Sequence, residues 1–271
     1  MPCAKMDEVF NLLMQKRKQS KWHKEIHFVD LRMTTTSNDL ATRWIDVFST
    51  ALYEKIYFYF LGINYQNLEK RVWENKSTRD FKIYNRFFQI GLYGCLKWFF
   101  LNPKIGYQVV TIDNIFSDAK PRSTNDRFHS QSIEEIEFTT SSKQEHINFN
   151  CRTITEINSD HEKEPRYPKA SHFIQFVDIV SGSLSQIFDF TSVHEGKCLC
   201  AKKLFSYDLP SEVLRYDDQH FRSSYYKKFA VSFFPKRKLS KENILSEGYR
   251  ENLFYTYRKL ECPKVPQIEL L

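Results

Sequence analysis

Cysteine pairs of the zinc-binding kind are missing from this chain. Its six cysteines are Cys3, Cys95, Cys151, Cys198, Cys200 and Cys262, and no two stand at the two-residue gap of zinc knuckles. Cys198 and Cys200 form a lone CxC without a second pair. "HKEIH" (23–27) sets His23 and His27 four apart, but Lys24 and Glu25 are in the wrong order for the HExxH motif of zinc hydrolases. Long hydrophobic runs are missing too. The most apolar stretch, "FFQIGLYGCLKWFFL" (87–101), is broken by Gln89 and Lys97 and is too short to span a bilayer. The first residues, "MPCAKMDEVFNLLMQKRK", hold no apolar signal core followed by a cleavage site. The expectation is a reduced, soluble, cytoplasmic protein with no membrane partner. Glycine is scarce, at 7 residues, whereas Phe (24) and Tyr (15) are abundant. Their codons are AT-rich, so the aromatic richness reads as core material shaped by base bias.

A hydrophobic content of 41% with 27% charged residues fits a globular chain. At 271 residues it can form one large domain, or a domain with an appendage. Its net charge of +7 is unevenly spread. Residues 197–241 hold 8 Lys and 3 Arg against 3 Asp and 1 Glu, so this segment carries the whole excess and the remainder sums to zero. Aromatic residues from Phe205 to Phe234 interleave with the bases there. Cations neutralise phosphates and aromatic rings stack on bases, so the mixture suits a nucleic-acid partner. A solvated lysine-rich surface has the same composition. Lys202, Lys203, Lys227, Lys228, Lys236, Arg237 and Lys238 are the candidate nucleic-acid contacts.

Periodicity predicts helices at 4–20, 39–53, about 80–101 and 171–190, with a short extended segment at 25–32. "SIEEIEF" (132–138) reads as a short helix. "KIYFYFLGI" (55–63), "YQVVTIDNI" (107–115) and "CRTITEINS" (151–159) read as strands. From 197 onward, including 240–260, the basic region reads as helical. Strands alternating with long helices predict an α/β fold, with a main domain over 1–195 and a basic, aromatic-rich helical extension over 196–271 packed on it.

One residue is out of place in this pattern. In "SHFIQFVDIVSGSLSQIFDF" (171–190), Phe173, Phe176, Val177, Val180, Leu184, Ile187 and Phe188 recur on one helical face, with Ser171 as a suitable N-cap. Asp178 sits mid-helix, beyond the reach of the favourable N-terminal field. Ser181, Gly182 and Ser185 form a strip of small residues beside it. A metal or the backbone of a ligand can approach such a carboxylate closely, and a solvated flank aspartate would have the same spacing. Asp113 stands at the carboxyl end of an apolar strand, where open α/β sheets place their ligands and where turns also recruit aspartate. Two such carboxylates can hold a hydrated magnesium ion beside a phosphate, and a metal pair can activate water for phosphodiester cleavage.

"SHFIQFVDIVSG" resembles the final helix motif, roughly "IQLADLVAG", of the bacterial domain-of-unknown-function family 3800. Ile174, Gln175, Asp178, Ile179, Val180 and Gly182 match it, and Val177 stands for a small residue. "VVTID" resembles the acid-tipped strand of that family, "EIHF" an earlier segment, and "KIYFYFLGINYQNL" a strand with Asn64 where members often carry Asp. The resemblance spans roughly residues 20–190. It implies an RNase H-like mixed sheet flanked by helices, with a metal-dependent acidic site using Mg2+ or Mn2+. Asp113 and Asp178 would be catalytic ligands, and Glu25 either a third carboxylate or a structural residue. The family's opening "DESG" strand is absent here. A further strand upstream of Met1, strands from a partner chain or second copy, or a reorganised sheet centred on 55–63 would each reconcile the two. The implied activity is a metal-dependent nuclease, degenerate or truncated. The alternative is a non-catalytic nucleic-acid-binding or assembly subunit that keeps the fold.

Overall fold

The computed structural model describes residues 1–32, 35–54, 56–63, 76–100, 110–119, 133, 147–189, 192–205 and 229–234. Over these residues the chain is α/β in the coarse sense, with five α-helices and six strands. The helices are α1 (Cys3–Ser20), α2 (Thr36–Glu54), α3 (Lys76–Phe99), α4 (Pro168–Asp189) and α5 (Glu195–Phe205). The strands are β1 (Phe58–Ile63), β2 (Val110–Ile112), β3 (Phe116–Asp118), β4 (Ile147–Phe149), β5 (Thr155–Ile157) and β6 (Phe229–Phe234). No helix among the described residues is long and apolar enough to cross a membrane.

The main core is helical. Helices α1, α2, α4 and α5 pack on one another around Val9, Leu13, Trp44, Phe48, Phe176, Ile179, Leu184 and Leu204, all buried. On α1 the buried positions are Val9, Leu13, Arg17 and Ser20, a stripe at helical spacing whose third member is a cation. The α4 stripe holds Phe176, Ile179, Val180, Leu184 and Ile187 buried. Val177, expected on that face, is 48% exposed, and Gln175 is fully buried in its stead. Ser171 is not an N-cap. The helix opens at Pro168, a residue whose fixed φ suits the first helical position. Ser171 lies inside, its hydroxyl donating to the carbonyl of Asn158 at 2.6 Å.

Three two-stranded sheets form among the described residues, and every pair is parallel: β1 with β6, β2 with β4, and β3 with β5. No pairing among them joins these into the single mixed sheet that the family resemblance implies. The last two pairs are halves of one longer ribbon. Segment 110–119 runs beside 147–157, and Asn150 N–H to Ile112 O (2.8 Å) and Thr155 N–H to Ile115 O (2.8 Å) carry the pairing across the gap. The register shifts by two residues between the halves, from Ile112↔Phe149 to Phe116↔Thr155. Such an interruption kinks a ribbon and re-aims its side chains. Leu96 of α3 packs with Ile147, Phe149 and Ile154 in a second, smaller core.

The basic C-terminal region is not wholly helical. Only α5 is a helix among its described residues, and Phe229–Phe234 is a strand. The alternation "FAVSFF" and a β-prone partner in β1 account for it. Helix α5 is part of the main core through Cys200, Ala201 and Leu204. The expected helices at 132–138 and 240–260 lie outside the described residues, apart from Ile133.

Candidate functional site

Residues 25–27 run along α4 into a short turn that begins at Phe28, and burial alternates over 25–28. Ile26 and Phe28 are buried, while Glu25 and His27 are partly exposed, as a half-buried strand requires. In such a segment the N–H groups of residues 26 and 28 point the same way, towards α4 here. The side chains of α4 meet them one turn apart. Gln175 Oε1 accepts from Ile26 N–H at 3.3 Å, and Asp178 Oδ2 accepts from Phe28 N–H at 2.9 Å. Two helix side chains thereby act as the missing neighbouring strand.

This answers why an aspartate sits mid-helix. Phe28 opens a single 3-10 turn, Phe28–Asp30, whose preceding residue His27 supplies no side-chain cap. Asp178 caps that turn from another element. Its carboxylate also lies 3.4 Å from His27 Nδ1, and Glu25 Oε1 lies 2.8 Å from His27 Nε2. The structure thus gathers Glu25, His27 and Asp178 into one row. Gly182, one turn further along α4, makes the docking possible. A Cβ there would overlap Cγ of Phe28.

Asp113 is held elsewhere. It follows β2 at the break in the ribbon, where Asn150 Nδ2 donates to its Oδ1 at 2.7 Å and Cys3 Sγ donates to its Oδ2 at 3.2 Å. That bond raises the pKa of the Cys3 thiol above its ordinary value. Cys3 is the first residue of α1, and Arg17 in its last turn reaches Gln175. With a rise of 1.5 Å per residue, about 20 Å of helix axis separates Cys3 from Arg17. Asp178 lies a turn beyond Gln175. The two acids that would share a metal are therefore anchored at opposite ends of α1, each bonded to protein donors. Among the described residues no three His, Cys, Asp or Glu side chains are placed to hold a metal ion together. The donor set does not fit a shared Mg2+ or Mn2+ centre.

A buried polar cluster that sequence reasoning missed lies under the docked segment. Arg17, 2% exposed, donates to the carbonyls of Lys24 (2.6 Å) and His23 (3.3 Å) and to Gln175 Oε1 (2.7 Å). Its guanidinium stacks 5.0 Å from the Trp44 ring centre, and burial lowers its pKa to about 10. Gln175 Nε2 donates to the Ser159 carbonyl and faces His161 Nδ1 at 3.2 Å. The His161 ring stacks on that of His172, with 4.2 Å between centres. His172 is buried, and its Nδ1 has no hydrogen-bond partner among the described residues. The signal in the sequence was a cation at the third position of the α1 stripe.

This cluster sets an acid limit on stability. Desolvation, with Arg17 and His161 nearby, lowers the His172 pKa from 6.5 to about 3. The unfolded chain therefore binds more protons than the folded one between those values. Stability is fully present above pH 6.5 and is lost as pH falls towards 3, by up to about 1.4 kcal/mol per pH unit. The shift of His161 is also downward, chiefly from burial, and acts in the same direction. Melting curves should fall steeply between pH 6 and 4 in the parent and flatten in His172→Phe. An equally steep fall in that variant would assign the acid sensitivity elsewhere.

The nucleic-acid candidates are only partly placed. Lys202 and Lys203 occupy the last turn of α5, and Lys203 Nζ is paired with Asp46 of α2 at 2.9 Å. Lys227, Lys228, Lys236, Arg237 and Lys238 lie outside the described residues, as does Asn64. In the chain, the first two precede β6 and the other three follow it. Comparison with known proteins finds no matching family model, no matching curated protein and no matching solved structure.

Proposed function

We propose that this chain is a non-catalytic nucleic-acid-binding protein, built on a nuclease-like α/β fold whose acidic positions serve as structural joints. The observation that carries this reading is the separate engagement of Asp178 and Asp113. Asp178 caps the turn at Phe28 and faces His27, and Asp113 ties α1 and β4 together at the ribbon break. A catalytic metal would need both, and taking them would undo two joints. The partner class comes from charge, since the segment 197–241 carries the entire +7 excess together with stacking aromatics.

A thermal melt with and without manganese, on the parent, Asp113→Asn and Asp178→Asn, tests the reading. If a shared site bound metal with a dissociation constant of roughly 1 mM, 10 mM Mn2+ would stabilise the fold by about 1.4 kcal/mol. The expected result is no metal-dependent shift in any of the three. A shift in the parent that both variants lose would establish a shared metal site and favour the metal-dependent nuclease instead, which a cleavage assay would then test.

A further inference from the structure

We infer that the turn ending α1, residues 16–24, is a phosphate-contacting face for a nucleic-acid strand, an inference that rests on the binding function proposed above. "KRKQSKWHK" holds five Lys and Arg residues and no acid. The charge sums of the whole chain hide it, because acids elsewhere offset it. Lys18, Lys21 and Lys24 are exposed. Five other cations of the described residues are matched: Lys5 with Glu8, Lys169 with Asp7, Lys163 with Asp160, Lys203 with Asp46 and Arg43 with Asp39. Lys18, Lys21 and Lys24 have no carboxylate at ion-pair distance among the described residues.

A lysine-rich helix end has an ordinary use, since cations favour the negative end of the helix dipole. That accounts for Lys18. Lys21 is the C-cap residue of the helix, and Lys24 lies three residues further on, where the dipole's pull weakens. Lys21 is moreover the one non-glycine residue of positive φ among those described, at 56°. It occupies a position that glycine fills at lower cost. Strain of this kind persists where surrounding structure enforces it and the side chain has a use. The enforcement is visible beneath. Arg17 holds the carbonyls of His23 and Lys24 from the buried side, and Trp22 Nε1 donates to the Glu25 carbonyl at 3.2 Å. The backbone is fixed from below and the ammonium groups are turned outward, an arrangement in which three cations meet successive phosphates without first being ordered.

The test is fluorescence anisotropy of a labelled oligothymidine strand against the full chain, titrated across a range of salt concentrations. Lys18→Gln/Lys21→Gln/Lys24→Gln should bind at least about tenfold more weakly, with the salt slope reduced by about 2, roughly 0.7 for each phosphate no longer neutralised. Lys21→Gly alone should raise the melting temperature while lowering the slope by about 0.7. That combination separates binding from folding. A triple variant with the parent's affinity and slope would overturn the inference and leave the nucleic-acid function standing. A parent that does not bind the strand overturns both. Loss of binding to phosphatidylserine-rich vesicles in the triple variant, with oligothymidine binding intact, would reassign the face to an anionic membrane.

Discussion

Arg17→Met should lower the stability of the fold by about 3 kcal/mol, seen as a fall of roughly 10 °C in the melting temperature. Two effects compete. Methionine relieves the desolvation that drives the Arg17 pKa down, and replacing a buried charge by a hydrophobic residue is often neutral. Against this, the charge here serves three acceptors, the carbonyls of His23 and Lys24 and the amide oxygen of Gln175. An acceptor stripped of a charged donor costs about 1–3 kcal/mol when it stays buried. Loss therefore outweighs relief. Arg17→Lys should fall between parent and Arg17→Met, because an ammonium lacks the planar fork that reaches the two carbonyls from Nη1 and Gln175 from Nη2. Equal melting temperatures for Arg17→Met and the parent would mean that the desolvation penalty had cancelled the bonds.

Gly182→Ala should be comparably damaging, with an expected loss of about 3 kcal/mol from a single methyl group. The added carbon would overlap Cγ and Cδ1 of Phe28 and stand 2.6 Å from its Cβ. These atoms sit at the root of the side chain, so no rotation of a flexible end relieves the overlap. The whole segment must lift. Lifting it breaks the bond from Phe28 N–H to Asp178 and exposes part of a ring that is now buried, itself about 1.5–3 kcal/mol when complete. Gly196→Ala provides the contrast. Its Cβ would meet the amide end of Asn38, the outer end of a side chain and not its root, so the cost should be smaller. Denaturant midpoints of the two variants measure the difference. A Gly182→Ala protein as stable as Gly196→Ala would show that Phe28 is not seated on α4.

Much of the helical body is legible from periodicity. The 3.6-residue recurrence locates α1, α2 and α4, and the β-branched and aromatic run locates β1, because these features depend on neighbours in sequence. The oddity of Asp178 is legible too, but its purpose is not. A carboxylate awaiting a metal and a carboxylate awaiting a backbone N–H look the same until the segment 26–28 is placed against it. Periodicity puts the beginning of α4 wrongly at Ser171, since a serine that bonds a distant carbonyl reads locally as a cap. Asp113 reads as a strand end because the parallel partner that continues the ribbon past it, residues 147–157, is remote in the chain. Strand β6 is hidden by its basic surroundings, and only its pairing with β1 explains it. The Arg17 cluster is invisible for a related reason. Nothing local distinguishes a buried, hydrogen-bonded arginine from the more exposed lysines on either side.

The pairing of β1 with β6 carries a consequence for synthesis. Phe58 meets Phe229 in parallel register, so the two strands are made about 170 residues apart. At roughly 5–20 residues per second, the most β-prone run of the chain leaves the ribosome about ten to thirty seconds before its partner exists. All four helices of the main core are complete by residue 205, so that body can close while β1 still waits with an open edge. The interval is a window for faulty association, and slow translation would lengthen it. A chain cut short before residue 229 would never leave it.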